Sequence, residues 1–265
     1  MKKNFLIAAL LLSGTMFYSC ESNDTPVTDT TEPPQNLPTN KVLVELFTNT
    51  SCVPCVEANQ YLDAVYENSG VTIGDTNVII LRYHTTLFAG DPFYLYNTED
   101  NNARMSYYPN SAIVNPRTFL LGVFMGNFSS GPWTSKLNEK LIASRPLAIS
   151  LINVYDSVSR SGNLNVKITQ PSGQNYTDLV YHIALAENEI PYAAPNGETH
   201  FNNTLRNLVT PPSGQTFEIG SGETVTFNNS YSVASEINQN ESDLIVFVQI
   251  SATREILAAE KIRVR

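Results

Sequence analysis

Val42, Leu43, Val44, Leu46 and Phe47 form a near-continuous apolar, β-prone block, the pattern of a strand buried on both faces. A polar turn, Thr48 to Ser51, follows. Val56, Ala58, Tyr61, Leu62 and Val65 then recur at spacings that give a helix one apolar face, and Asn68-Ser69-Gly70 ends it. Asn77 to His84 reads as a second buried strand, so strand, helix and strand predict a βαβ unit with parallel pairing. Beyond it come an inserted helical segment over Tyr94 to Tyr107, a strand within Ser111 to Gly122 with Pro116 early in it, and a helix over Gly131 to Ser144 opened by Pro132. From Leu147 the pattern changes to short alternating segments separated by Ser, Gly, Asn and Pro. Leu147 to Tyr155, Leu164 to Ile168, Leu179 to Ala186, Thr224 to Phe227, Leu244 to Ile250 and Ile256 to Val264 predict an antiparallel β-sandwich. The expected organisation is an α/β domain over residues 41–145 followed by a β-sandwich domain over residues 146–265.

The chain before residue 41 belongs to neither. Met1-Lys2-Lys3, an apolar run from Phe5 to Leu12, and Phe17-Tyr18-Ser19 ahead of Cys20 read as a secretory signal over residues 1–19, too short to span a bilayer permanently. The cysteine at the break resembles a bacterial lipoprotein signal. That resemblance implies that cleavage leaves Cys20 as a new N-terminus carrying acyl chains such as palmitate; the plain alternative is an ordinary signal peptide with Cys20 free. Residues 20–40, rich in Thr, Pro, Asn, Asp and Glu, read as a flexible tether. Removing residues 1–19 leaves 14 basic against 25 acidic residues, a net charge of −11. Such a surface repels phosphate backbones and argues against nucleic-acid binding.

With Cys20 acylated, Cys52 and Cys55 are the remaining thiols, placed where the first strand hands over to the first helix. Unpaired N–H groups and the helix dipole favour an anion there, which makes a thiol at the helix start more readily ionised. Cys52 is expected to be the exposed, attacking thiolate. Cys55, one turn on, would resolve a mixed disulfide by attacking it. Pro54 suits a first turn, because that position has no use for a backbone donor. Three other readings stand beside this one, of which chance spacing is weakened by the strand before and the helix after. A structural disulfide closing so short a loop contributes about 2 kcal/mol. A zinc half-site needs two further ligands, for which the sequence offers only the isolated His84, His182 and His200 or carboxylates, with no second Cys-x-x-Cys. No metal and no cofactor are expected.

Cys-x-x-Cys at a strand-to-helix turn, with a later proline opening a strand, resembles the thioredoxin superfamily. The resemblance implies that Pro116 is cis, although Arg117 intervenes before Thr118 and an ordinary trans proline at a strand start is the alternative. It implies that Asn115 and Pro116 lie beside the cysteines and shape a groove for an extended peptide. It also implies that Glu45, one residue farther from the motif than the superfamily's acid, is a buried acid assisting proton transfer at Cys55, with a solvated strand-end glutamate as the alternative. Ser51 and Val53 stand where thioredoxin itself has Trp and Gly, so the direction of redox chemistry stays open. Further fragments are less generic: Glu45-Leu46-Phe47, Tyr83-His84, Asp91-Pro92-Phe93, the run Thr199-His200-Phe201-Asn202-Asn203-Thr204-Leu205-Arg206-Asn207-Leu208, and Phe247-Val248-Gln249. In that order they resemble the 28-kilodalton outer-membrane-protein-related family of bacterial lipoproteins, which joins a thioredoxin-like half to a β-sandwich half. His84, His200 and Arg206 are read as bracing a loop or an interface, and His182 as a core or cross-strand residue.

The expected function is a lipid-anchored thiol–disulfide oxidoreductase of the bacterial envelope, on the outer membrane rather than the inner. It would exchange disulfides with cysteine-containing envelope proteins and an unidentified redox partner. The alternative is a surface binding or adhesion lipoprotein that keeps the thioredoxin-like frame with a structural disulfide.

Overall fold

A computed structural model describes residues 39–68, 77–108 and 114–265. The signal segment, Cys20 and nearly all of the tether lie outside the described residues.

The apolar block forms strand β1 (Val42–Thr48), every residue of which is buried. Helix α1 (Val53–Asn68) follows, then β2 (Val78–His84) parallel to β1, with Val42 opposite Val78 and Thr48 opposite His84. The inserted segment is two helices, α2 (Pro92–Tyr96) and α3 (Thr98–Tyr107). Strand β3 (Arg117–Leu120) returns antiparallel to β1, β4 (Val123–Phe124) extends the edge, and α4 (Ser130–Leu141) closes this half. Ala58 and Leu62 of α1 and Trp133 and Leu137 of α4 are buried in one core with Val44, Leu46, Ile80 and Tyr83.

The rest of the chain supplies β5 (Ala148–Asp156), β6 (Ser161–Thr169), β7 (Tyr176–Glu187), the small hairpin β8 (Ile190–Pro191) and β9 (His200–Phe201), β10 (Thr204–Leu208), β11 (Gln215–Ile219), β12 (Thr224–Ser232), β13 (Ser242–Ile250) and β14 (Ile256–Arg263). β5, β6 and β12 form a three-stranded antiparallel sheet. Its alternating inward residues Leu164, Val166 and Ile168 share a core with Tyr181, Ile183 and Leu185 of β7 and Leu244, Val246 and Val248 of β13.

The expected boundary at residue 146 does not divide the main sheet. Nine strands run in the order β14-β13-β7-β10-β2-β1-β3-β4, with β11 also on β7. The join is β10, which is antiparallel to β7 and parallel to β2, with Thr204 opposite Arg82. The first core accordingly continues into Ala184, Leu205, Ile245 and Phe247, and the described residues belong to one compact unit. The molecule is a mostly β protein with a mixed sheet. No helix among the described residues is long and apolar enough to cross a membrane.

Candidate functional site

Cys52 and Cys55 form a disulfide, Cα to Cα 5.3 Å, on the last residue before α1 and on its first turn. The turn is closed by backbone bonds from Cys52 N–H to the Asn49 carbonyl (3.0 Å) and from Cys55 N–H to the Cys52 carbonyl (3.1 Å). No acidic residue occupies the first turn of α1 itself.

Beneath the turn lies a buried polar scaffold. Asn49 donates through its side chain to the Thr85 carbonyl (2.8 Å), and its Oδ1 accepts from Ser51 N–H (2.8 Å). Asp91 accepts from Thr50 N–H (2.8 Å) and from Phe93 and Tyr94 N–H, so one carboxylate fixes the cysteine turn and starts α2. Its fourth partner is His84 Nδ1, at 2.8 Å. Burial alone would raise the Asp91 pKa. The bond and charge of His84, with the N–H donors of Thr50 and Tyr94, outweigh burial and hold it below the ordinary carboxylate value. The His84 ring packs 4.8 Å from Phe93 and 5.9 Å from Phe201. His84, Phe93 and Phe201, from three separate fragments, therefore pack together and join the cysteine turn through Asp91.

The Asn115–Pro116 peptide bond is cis. Asn115 donates to Thr85 Oγ1 at 2.6 Å, and Thr85 N–H binds the Thr48 carbonyl. β3 starts at Arg117, opposite Phe47, which brings Pro116 to the end of β1 where the cysteine turn begins. A cavity of about 420 Å³ lined by Tyr108, Pro116, Phe119, Phe124 and Arg254 opens on this edge.

Two expectations fail. Cys52 is not exposed: it is 1% accessible and Cys55 0%, while Val53 beside them is 69% accessible. Part of the cause is a turn from the second half, where Asn196 N–H donates to the Thr50 carbonyl (3.1 Å) and Asn196 Nδ2 to the Cys52 carbonyl (3.3 Å). Glu45 does not serve Cys55. Residues alternate across a strand, so Glu45 and Phe47 share one face while Leu46 and Thr48 share the other. Thr48, with the Leu46 neighbour Arg82, contacts Asn59 of α1, whereas Glu45 faces α3. There its carboxylate takes Arg104 Nε (2.6 Å), Arg104 Nη2 (3.0 Å) and the Tyr108 hydroxyl.

Several contributors escape a reading of the sequence. Asn59 lies one helical turn beyond Cys55 and donates to Thr48 Oγ1 (3.3 Å) and Glu198 Oε1 (2.8 Å). Glu198 also accepts from Asn196 Nδ2, at 2.6 Å. Pro195, Asn196 and Gly197 are a legible turn signal, but their seat on a motif 144 residues earlier is not. Arg206 stacks on Tyr96 at 3.8 Å and faces Glu187, bracing the two halves. His200 is exposed. His182 is buried in the core, stacked on Phe247 at 4.8 Å. Among the described residues no group of three His, Cys, Asp or Glu is placed to hold a metal ion.

No protein-family model matches the chain, and no curated protein matches it. Among solved structures, HBP35 of Porphyromonas gingivalis superposes with a TM-score of 0.70 at 12% identity, over 86% of this chain and 76% of that one. A domain of the outer membrane lipoprotein Omp28 from Porphyromonas gingivalis matches at 16% identity over 45% of this chain and 88% of that one, with a TM-score of 0.34. The second overlap is too slight to carry an argument. The first shows that the chain shares the fold of HBP35.

Proposed function

We propose that this protein is a lipid-anchored thiol–disulfide oxidoreductase of the bacterial cell envelope, with a thioredoxin-like half carrying the chemistry and a β-sandwich half positioning it. Cys52 accepts or donates the mixed disulfide with a client protein, Cys55 resolves it, and Asn115 and Pro116 flank the approach. The reading is carried by one observation: the Cys52–Cys55 disulfide sits at the amino end of a sixteen-residue helix with no carboxylate in its first turn. A thiolate released there is stabilised by the helix end, and its neighbour is already within bonding distance. In the exchange, a thiolate attacks one sulfur, the S–S bond breaks, and the departing sulfur carries away the electron pair.

A second reading is favoured by the burial of both cysteines. In it the protein is a surface binding lipoprotein and the disulfide is a staple worth about 2 kcal/mol. Insulin reduction by the full chain, driven by a thiol reductant, separates the two. The exchange reading expects turnover that Cys52→Ser abolishes. Turnover no faster than reductant alone, with a pair that stays oxidised under strong reductant, overturns it in favour of the staple.

A further inference from the structure

The connection between β7 and β10 carries a feature that neither function accounts for. Its stem is the β8–β9 hairpin, with Ile190 opposite Phe201. The stem is seated by Phe201, Ala194, Ile190 and Tyr192 on Phe93. At its tip Ala194-Pro195-Asn196-Gly197 makes a tight turn, with Gly197 N–H on the Ala194 carbonyl at 2.9 Å. The tip is the part that reaches the cysteines. It buries little apolar surface: Pro195 and Gly197 are exposed, Asn196 and Glu198 are half-buried, and only Ala194 is buried. It is held instead by polar bonds, from Asn196 to the Thr50 and Cys52 carbonyls and from Asn59 to Glu198. A segment fixed by a few hydrogen bonds over an otherwise packed stem is the kind that opens locally while the fold stays intact.

We propose that the turn Ala194–Glu198 is a built-in cap on the Cys52–Cys55 disulfide, latched by Asn196 and Glu198, which an incoming polypeptide displaces before its sulfur reaches Cys52. The Asn196 backbone N–H on the Thr50 carbonyl is the bond that a backbone N–H of an extended client would make in its place. The cap therefore selects for clients that bring their own backbone donor. Both ends of the connection hold a residue in left-handed backbone, Glu189 at φ 54° and Asn203 at φ 51°. Asn188 ties these ends together by accepting from Asn203 N–H at 2.9 Å. This arrangement confines the movement to the residues between them.

The purpose given to the cap rests on the exchange reading, but its test does not. Dithiothreitol in excess reduces the disulfide: one thiolate attacks a protein sulfur, and the second thiol releases the remaining cysteine as the reagent closes to its cyclic disulfide. Two electrons pass to the protein. The reaction is quenched with N-ethylmaleimide at intervals and the alkylated fraction read by mass, using the full chain, Asn196→Asp and Glu198→Gln. Asn196→Asp keeps the size and turn preference but removes the amide donor and sets a charge against Glu198. Each variant is expected to be reduced about fivefold faster than the parent, as loss of a hydrogen bond of ordinary net strength implies. Equal rates, with circular dichroism showing both variants folded, overturn the cap. Faster reduction without insulin turnover keeps the cap and removes the oxidoreductase; turnover with equal rates does the reverse.

Discussion

The buried Glu45–Arg104 pair allows a quantitative test. Both side chains are fully buried, and the guanidinium makes two bonds to the carboxylate while Nη2 also reaches Gln249 Oε1 and the Tyr108 hydroxyl at 3.1 Å each. Tyr107, Tyr108 and Phe247 surround the Arg104 guanidinium at 4.5, 5.1 and 5.0 Å. Replacing Arg104 with Met, similar in length, keeps most of the packing and strands the Glu45 carboxylate in a fully buried site. Removing one member of a buried pair costs about 3–5 kcal/mol, a large share of the roughly 5–15 kcal/mol that holds a protein folded. Arg104→Met is therefore expected to lower stability by about 4 kcal/mol in urea titration. Thermal unfolding should drop by roughly 10 °C, at about 2–4 °C per kcal/mol for a chain of this size. Adding Glu45→Gln removes the stranded charge and should return about 2 kcal/mol, because a neutral amide can still bond Tyr108. A loss under about 1 kcal/mol for Arg104→Met, or no recovery in the double variant, would refute the reasoning.

Two further outcomes follow from the core. Burial first, and the Arg104 charge second, hold the His182 pKa well below 6.5. The unfolded chain therefore takes up a proton near pH 6.5 that the folded chain refuses. Stability should fall as pH drops below about 6.5, by up to about 1.4 kcal/mol per pH unit from this group. His182→Phe keeps a ring on Phe247 and should flatten urea midpoints between pH 6.5 and 5; an unchanged slope would assign the effect elsewhere. Gly122 has φ 83°, and a Cβ there would collide with the Arg254 carbonyl oxygen. Gly122→Ala should cost about 3 kcal/mol in the same titration, from overpacking and left-handed backbone together, and a cost below about 0.5 kcal/mol would contradict the close approach.

The parts legible in the sequence are those whose signal is local. β1, the cysteine turn, α1 and β2 each declare themselves within a few residues, and their parallel pairing follows from order alone. The alternation of β6 shows its apolar edge directly, with Leu164, Val166 and Ile168 buried and the residues between them less so. β10 was not legible. Its five residues include Arg206 and Asn207, a register shift lies between Leu205 and Asn207, and it meets β2 at Thr204 opposite Arg82 alone. Such a short strand has no periodicity of its own, and its place is set by Arg82, which donates to the Asn202 carbonyl (2.9 Å) and Asn203 Oδ1 (3.2 Å). Glu45 misled for a related reason. The superfamily resemblance implies proton chemistry for Glu45, but the Arg104 that pairs with it lies 59 residues on, in a segment with no strong pattern.

These long-range joins bear on how the cysteines are reached. If the two halves were separate bodies, a hinge between them could swing the cap away as a unit. The strand order β7-β10-β2-β1 forbids that, because the cap leaves from the end of β7, returns into β10, and sits two strands from the β1 that leads into Cys52. Parting cap from cysteines by rigid motion would require tearing β10 from β2, where the Arg82 backbone N–H bonds the Asn203 carbonyl and its guanidinium bonds Asn202 and Asn203 across the join. The Phe93–Phe201 contact at 4.8 Å likewise holds the stem down. Access must therefore come from the turn itself, where bonds are few and polar. A small reductant and an extended client segment then face the same opening step, and only the client can offset it with a backbone hydrogen bond of its own.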